Sequence, residues 1–151
     1  MEPGLAAALA GVTGVARGSR DPWWVIGSTA MALHGAAPLS VGDIDLLMSR
    51  RDAADLLARQ GAASGPGAAD DRFRSDVFGR FQAGGYSVEV MGGFHVHDGS
   101  DWREIVPQSR ETVRVRDTEL FVPSVLELIE MCRLFGRPKD AERKWLLRNL
   151  R

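Results

Sequence analysis

The side chains most able to do chemistry lie between Trp23 and Met48, where Asp43 and Asp45 flank Ile44. Alternate side chains of an extended strand share one face, so the two carboxylates would project together. Two adjacent carboxylates in an apolar run repel each other and lose hydration, and a divalent cation is the simplest compensating charge. The triplet therefore predicts a metal site, and the alternative is a solvated strand edge.

A phosphate site is predicted just upstream of these aspartates. Trp23 to Ile26 is a short β-type apolar run, Gly27 and Ser28 break it, and a helical pattern follows until Gly35. The first backbone N–H groups of a helix are unpaired, and the positive end of the helix dipole attracts anions. We therefore expect this turn, with the Ser28 hydroxyl, to hold a phosphate. The alternative is an ordinary strand-to-helix turn.

Glu89 is the third candidate carboxylate. It lies in the second strand of a predicted hairpin, in which Val77 to Ala83 and Tyr86 to Met91 flank the turn Gly84-Gly85. Valines stand on both sides of Glu89, and a solvated surface glutamate is less expected in such a strand.

In this arrangement the chain resembles the nucleotidyltransferase superfamily, which shares its fold with DNA polymerase β. The residues that carry the resemblance are a strand ending in Gly27-Ser28, a helix ending in Leu33-His34-Gly35, and Asp43-Ile44-Asp45 at the start of the next strand. Among the branches of the superfamily, the chain is most similar to the minimal and AbiEii-toxin-like nucleotidyltransferases and to the lincosamide-modifying enzymes. The similarity spans nearly the whole chain.

The resemblance implies an α/β (α+β) fold of the polymerase β type, with a mixed sheet flanked by helices and with C-terminal helices. It implies one nucleotidyltransferase-like domain over residues 1–151, with a core at about 20–122 and a helical part at about 123–151. Asp43, Asp45 and Glu89 would bind two Mg²⁺ ions, with an NTP as donor. Glu89 would also serve as general base toward an acceptor hydroxyl.

The C-terminal segment carries a cluster of basic residues: Arg137, Lys139, Arg143, Lys144, Arg148 and Arg151. The run from Gly136 to Asp140 is similar to a segment near the C-terminus of these small enzymes. The resemblance implies that Arg137 and Lys139 contact the triphosphate. The alternative is that these residues form the solvent-exposed face of a helix, as most clusters of charged residues do.

Two function classes follow from these patterns. The first is an enzyme that transfers NMP from an NTP to a hydroxyl of a small molecule, an RNA end or a protein. The second is a catalytically weakened nucleotide-binding or toxin–antitoxin module on the same fold. The three carboxylates favour the enzyme. The second class is favoured because basic residues that the family often carries are replaced, for example by Cys132 in the penultimate helix.

Composition limits the remaining classes. The 151-residue chain has a net charge of −1, so a site for a polyanion must be local. Cys132 is the single cysteine, which excludes an internal disulfide and favours a reducing, cytoplasmic location. The N-terminus lacks a basic leader, and we expect no membrane span. P-loop, dinucleotide-fold, zinc-protease and serine-hydrolase motifs are absent. The expected partners are a nucleotide, an acceptor molecule, and either a second copy of the chain in a homodimer or an antitoxin.

The elements expected around the site begin with a helix over residues 4–17 and a second helix capped by Ser49 and ended by Gly61. In residues 61–76 the apolar residues do not recur at helical or strand spacing, which predicts a mobile loop that could act as a lid. Residues 92–110 are expected to be irregular.

Two histidines in that irregular segment, His95 and His97, are expected to be loop residues, with zinc ligation as the alternative. His34, which matches the family's Leu-His-Gly, is expected to be structural.

The rest of the chain predicts a hairpin over 111–122 that turns at Asp117-Thr118, followed by two helices. Ser124 would cap the first of them and Gly136 would end it. Pro138 would open the second. Its apolar stripe would consist of Trp145, Leu146 and Leu150.

Overall fold

The computed structural model describes residues 1–37, 39–67 and 70–150. Within these ranges, five helices and seven strands follow one another along the chain. They are α1 (Pro3–Ala16), β1 (Trp24–Ile26), α2 (Gly27–Leu33), β2 (Ile44–Met48), α3 (Arg50–Arg59), β3 (Phe73–Ala83), β4 (Tyr86–His97), β5 (Trp102–Glu104), β6 (Glu111–Val115), β7 (Thr118–Val122), α4 (Val125–Phe135) and α5 (Pro138–Arg148).

The main sheet is mixed and has the strand order β1-β2-β4-β3. Strand β2 is antiparallel to β1 and parallel to β4, while β3 and the short β5 are both antiparallel to β4. Strands β6 and β7 form a separate antiparallel pair. A mixed sheet with helices before, between and after its strands confirms the predicted α+β class.

The two faces of the sheet have different surroundings. Helices α1 and α3 cover the face that bears Leu46 and Val90, both fully buried. A methyl group on Gly79, which pairs with Val90, would come within 2.7 Å of Leu57 of α3, so α3 packs directly on the sheet. Because side chains alternate along a strand, Asp45 and Glu89 belong to the opposite face.

The helix ends follow the predicted capping residues. Ser49 and Ser124 each accept a hydrogen bond from a backbone N–H three residues later, at the first turns of α3 and α4. Gly136 ends α4 in the left-handed conformation with φ 62°. The ring of His34 lies 2.8 Å from the carbonyl oxygen of Pro123, which ties the end of α2 to the start of α4 and fits the expected structural role.

The sheet is longer than the sequence pattern predicts. Strand β3 begins at Phe73, inside the predicted 61–76 loop, and β4 continues to His97 through the segment expected to be irregular. His95 and His97 are therefore strand residues, and their prediction as loop residues is wrong. The extension is stabilised by burial of Phe94 and Val96 and by stacking of Phe73 on Phe94 at 5.8 Å. Ala68 and Ala69 of the predicted loop lie outside the described residues.

Two smaller predictions are also wrong. The β6–β7 turn lies at Arg116-Asp117, one residue earlier than expected, because Arg116 adopts a positive φ of 55°. Trp145 is 63% exposed, and Leu147 takes its place beside Leu146 in the buried stripe of α5. Across the described residues, none of the helices has the length and apolar character needed to span a membrane.

Candidate active site

Asp45 and Glu89 are direct neighbours in the parallel pair formed by β2 and β4. Both line a cleft of about 480 Å³ on the sheet face that α1 and α3 leave open. Asp43, one residue before β2, is exposed and lines the same cleft. The strand register thus brings the third predicted carboxylate to the first two, across 44 residues of chain.

Asp45 has the most perturbed carboxyl in this cleft. Burial raises its pKa, and the negative charge of Glu89, a hydrogen bond with Glu89 and the charge of Asp43 raise it further, to about 7. Arg143 of α5 opposes this change through its positive charge. A carboxyl in this state lacks a sufficient counter-charge, and a bound cation would supply one.

Glu89 is held by an arginine of the neighbouring strand. Arg80 of β3 pairs with Glu89 in the ladder, and its Nε and Nη2 donate to the same oxygen, Oε1, at 3.1 and 2.8 Å. The Glu89 side chain is 19% exposed and that of Arg80 is 59% exposed. The pair therefore lies at the edge of the cleft, where part of its attraction is screened by water.

The donor set suits Mg²⁺, because hard divalent cations prefer carboxylate oxygens. The three acids are nevertheless not gathered for a metal: among the described residues, no group of three His, Cys, Asp or Glu side chains is placed to hold an ion. Asp45 and Glu89 are adjacent, but Glu89 is ion-paired with Arg80, and Asp43 is exposed to solvent. The same finding gives no support to zinc ligation by His95 and His97.

Gly27 allows the close approach of Asp45. Its φ is 69°, and a methyl group there would lie 2.6 Å from Oδ2 of Asp45. Any larger residue would displace that carboxylate, so the Gly-Ser turn and the aspartate form one unit. Ser28 is buried at 8% exposure and lines the cleft. Helix α2, which starts at this turn, has seven residues.

The two basic residues predicted in the tail also line the cleft. Arg137 makes a bidentate ion pair with the buried Asp140, with Nε at 2.7 Å from Oδ2 and Nη2 at 3.0 Å from Oδ1. Its guanidinium lies 5.0 Å from the ring centre of Phe73 and 5.4 Å from that of Phe135. Lys139 is exposed. Arg137 is therefore fixed by the protein, whereas Lys139 extends into solvent.

Sequence reasoning assigned no role to two arginines of the site. Arg143 of α5 and Arg80 of β3 line the cleft. Arg143 lies four residues after Lys139, so their shared helix face was the available signal. The pairing of Arg80 with Glu89 depends on the hairpin register.

Comparison with known proteins supports the fold. No family profile matches the chain, and no curated protein matches it. Among solved structures, the chain is similar to a candidate nucleotidyltransferase from Thermotoga maritima, with a TM-score of 0.77 and 23% identity over 99% of this chain and 96% of that one.

The antibiotic-resistance factor ANT(2'')-Ia is also similar. Its solution structure has a TM-score of 0.61 at 12% identity, covering 97% of this chain and 84% of that one. Its crystal structure with adenylyl-2''-tobramycin has a TM-score of 0.59 at 12% identity, covering 95% and 87%. These TM-scores, at such low identities, show a shared fold. The chain therefore has the fold of the nucleotidyltransferase superfamily.

Proposed function

We propose that this protein is a Mg²⁺-dependent nucleotidyltransferase that transfers NMP from an NTP to a hydroxyl group. The observation that carries the proposal is the pairing of Asp45 with Glu89 in adjacent parallel strands, with the Gly27 turn directly against the Asp45 carboxylate. Carboxylates on two strands beside a small-residue turn provide cation ligands next to room for a phosphate. The comparisons support the fold in which this chemistry would take place.

The proposed roles follow from position. Asp43, Asp45 and Glu89 would hold two Mg²⁺ ions, which supply charge neutralisation for the pyrophosphate leaving group and activation of the acceptor hydroxyl. Lys139 and Arg143 would bind the donor phosphates, because both line the cleft on α5. The hydroxyl oxygen would bond to the α-phosphorus as the bond to pyrophosphate breaks, and its proton would pass to Glu89.

Arg137 would contribute by a different route from the other cations. Its charge is already compensated by Asp140, and its guanidinium packs on Phe73 and Phe135. We therefore assign it to shaping the cleft wall, with any contact to the triphosphate secondary to that role. The Gly27-Ser28 turn would contact the donor phosphates through the backbone and the Ser28 hydroxyl.

The acceptor class is a small molecule, an RNA end or a protein. ANT(2'')-Ia is a small-molecule precedent on the same fold, since its structure holds adenylyl-2''-tobramycin. The single-domain organisation over 1–151, a cytoplasmic location, and a homodimer or antitoxin partner stay predictions from the sequence.

The second candidate is a catalytically weakened nucleotide-binding module, as in a toxin–antitoxin pair. One observation favours it: Glu89 is bonded to Arg80, and the described carboxylates are not gathered for an ion. If Arg80 does not release Glu89 when a nucleotide binds, the protein would bind NTP without transferring it.

A transfer assay separates the two candidates. The protein is incubated with Mg²⁺ and each of the four NTPs labelled at the α-phosphate, together with small-molecule, RNA and protein acceptors. An enzyme would label at least one acceptor, and Glu89→Gln would reduce labelling by at least about 100-fold through loss of a metal ligand and base. Nucleotide binding with no labelled product from any acceptor would favour the second candidate.

A further inference from the structure

The proposed metal site occupies only one end of the cleft, and the surface beyond it is apolar. Met91 follows Glu89 by two residues on β4, so the two side chains share the face that lines the cleft. Phe78 of β3 pairs with Met91 and lines the same surface. Residues two apart along a strand are about 7 Å apart, so this apolar surface begins directly beside the proposed general base.

The apolar surface continues along the same two strands. Phe73 of β3 and Phe94 of β4 line the cleft, and their ring centres are 5.8 Å apart. Phe135 of α4 closes this end, with its ring centre 5.1 Å from that of Phe73 and 6.0 Å from that of Phe94. Phe73, Phe78, Met91 and Phe94 together form an apolar floor. The cleft therefore changes from carboxylates at one end to aromatic rings at the other.

One polar side chain, that of Ser75, faces the apolar floor. The next residue, Asp76, turns to the opposite face of the sheet, where it is bonded to Arg50 of α3 at 2.7 Å. Ser75 lines the cleft and is 7% exposed. Its hydroxyl forms no hydrogen bond with the residues that the structure describes. Because a nearly buried hydroxyl without a partner is costly, a bound molecule with a polar group would supply what the protein does not.

The two charged side chains that lie over rings of the apolar floor are neutralised within the protein. Arg80 lies 5.4 Å from the ring centre of Phe78 and pairs with Glu89 at 2.8 Å. Arg137 lies over Phe73 and pairs with the buried carboxylate of residue 140 at 2.7 Å. A charged group placed on the floor would therefore lose hydration without gaining a counter-charge from either of them.

The order of the strands indicates which substrate would meet the apolar floor. The Gly27-Ser28 turn, proposed to contact the donor phosphates, follows β1, whereas Phe78 and Ser75 lie on β3, the third strand from β1. Adjacent strands are about 4.8 Å apart, so about 14 Å separate β1 from β3. Glu89, proposed to take the proton of the acceptor, lies on β4 beside β3. The floor is therefore on the acceptor side of the site.

We infer that the acceptor is an uncharged molecule with an apolar ring beside its reactive hydroxyl. Its ring lies on Met91 and Phe78, and a polar group farther along the molecule forms a hydrogen bond with the Ser75 hydroxyl. The inference rests on the proposed nucleotidyl transfer and specifies its acceptor. A polycation or a hydroxyl-rich sugar is disfavoured, because its polar groups would lie against aromatic rings without partners.

Titration with small ring compounds, followed by NMR of the isotope-labelled full chain, tests the inference. The probes are benzyl alcohol, benzylamine, in which an ammonium replaces the hydroxyl, and toluene, which lacks a polar group. Each probe is added to the free protein and to the protein saturated with Mg²⁺ and a non-hydrolysable NTP analogue. Ser75→Ala is compared with Ser100→Ala, a control at an exposed serine outside the cleft.

We expect benzyl alcohol to bind both the free and the donor-loaded protein with a Kd of roughly 1–10 mM, and to shift the amide signals of Ser75, Phe78 and Met91. Ser75→Ala should weaken binding of benzyl alcohol about 3-fold or more, leave that of toluene unchanged and not lower Tm, because the hydroxyl has no partner in the described protein. Ser100→Ala should bind all probes as wild type does. Benzylamine should bind at least about 5-fold more weakly than benzyl alcohol.

Four results would overturn the inference. The first is binding of benzyl alcohol to the free protein that is lost on loading with the NTP analogue, which would assign the apolar floor to the base of the donor. The others are no binding of benzyl alcohol, equal binding of benzylamine, and wild-type binding of benzyl alcohol by Ser75→Ala. Failure of the NTP analogue itself to bind refutes the proposed function, and with it the acceptor role of the floor, whatever the ring probes do.

Discussion

Replacement of Asp45 by asparagine should stabilise the metal-free protein, and the gain should depend on pH. The pKa of Asp45 is raised from 3.8 to about 7, so the folded protein holds this proton more tightly than the unfolded chain. A raised carboxyl pKa means that stability is lost as the pH rises from about 4 to 7, because the folded state must ionise a group that burial and Glu89 disfavour.

The size of the effect follows from the shift in pKa. About three pKa units at about 1.4 kcal/mol each set a ceiling near 4 kcal/mol at pH 8. We expect about 1–3 kcal/mol, because Asp45 is half-buried, Arg143 partly compensates its charge, and the amide of the substituted side chain would keep one polar partner. For a chain of this length, this gain raises Tm by roughly 3–10 °C.

The assay is thermal unfolding at pH 5 and pH 8 in the presence of a chelator. The gain of Asp45→Asn over wild type should be larger at pH 8 than at pH 5. Asp43→Asn is the matched control: Asp43 is exposed on the same cleft, and its charge raises the pKa of Asp45 less than burial and Glu89 do, so its gain in Tm should be smaller than that of Asp45→Asn. If Asp45→Asn melts below wild type at pH 8, or if its gain is equal at both pH values, the electrostatic account of Asp45 is refuted.

Three further perturbations test other parts of the site. Gly27→Ala should cost about 1–3 kcal/mol in urea unfolding and weaken Mg²⁺-NTP binding, because its methyl group would lie 2.6 Å from Oδ2 of Asp45 at φ 69°. Gly35→Ala is the control, because Gly35 also has a positive φ but has open space around it, so this substitution should lower stability without weakening nucleotide binding. If both substitutions weaken nucleotide binding equally, the contact between residue 27 and Asp45 is not the cause. Arg80→Ala should bind Mn²⁺ about 2–5-fold more tightly in calorimetric titration, because Arg80 then no longer competes with the ion for Glu89. The size follows from a partly exposed ion pair, which is worth up to about 1 kcal/mol. Unchanged Mn²⁺ affinity would argue against that competition. Asp140→Ala should cost about 2–4 kcal/mol by leaving Arg137 without its bidentate partner, and a loss below about 1 kcal/mol would show that Phe73 and Phe135 hold Arg137 unaided.

The approach of Asp45 and Glu89 depends on the register of β2 and β4, and it was expected from the family resemblance, because alternation within one strand does not relate it to another. The capping residues Ser49 and Ser124, by contrast, identify two helix starts because capping is a local interaction. Local signals of this kind are visible in a single sequence.

The pairing of Glu89 with Arg80 could not be predicted in the same way. It depends on the register between β3 and β4, which the packing of both strands on α3 helps to fix. The length of β4 was missed for a related reason. Gly92 and Gly93 suggest the end of a strand, but a methyl group on Gly92 would lie 2.9 Å from Cβ of Ala53. That glycine therefore serves close packing against α3, and the strand continues.

The exposed Trp145 illustrates a limit of periodicity. Trp145, Leu146 and Leu147 are consecutive apolar residues, so helical spacing alone does not decide which of them faces the core. The packing of α5 on α4 decides it, and Leu146 and Leu147 are the two that it buries.

The cleft around Asp45 and Glu89 is expected to bind a metal–nucleotide complex. Calorimetric titration with each of the four NTPs, with and without Mg²⁺, tests it most directly. Wild type should bind at least one NTP in the presence of Mg²⁺ and lose that affinity when Mg²⁺ is removed. Asp45→Asn, which keeps the fold, should lose it as well. Absence of binding by wild type to all four nucleotides at millimolar Mg²⁺-NTP would contradict both the enzyme and the nucleotide-binding module.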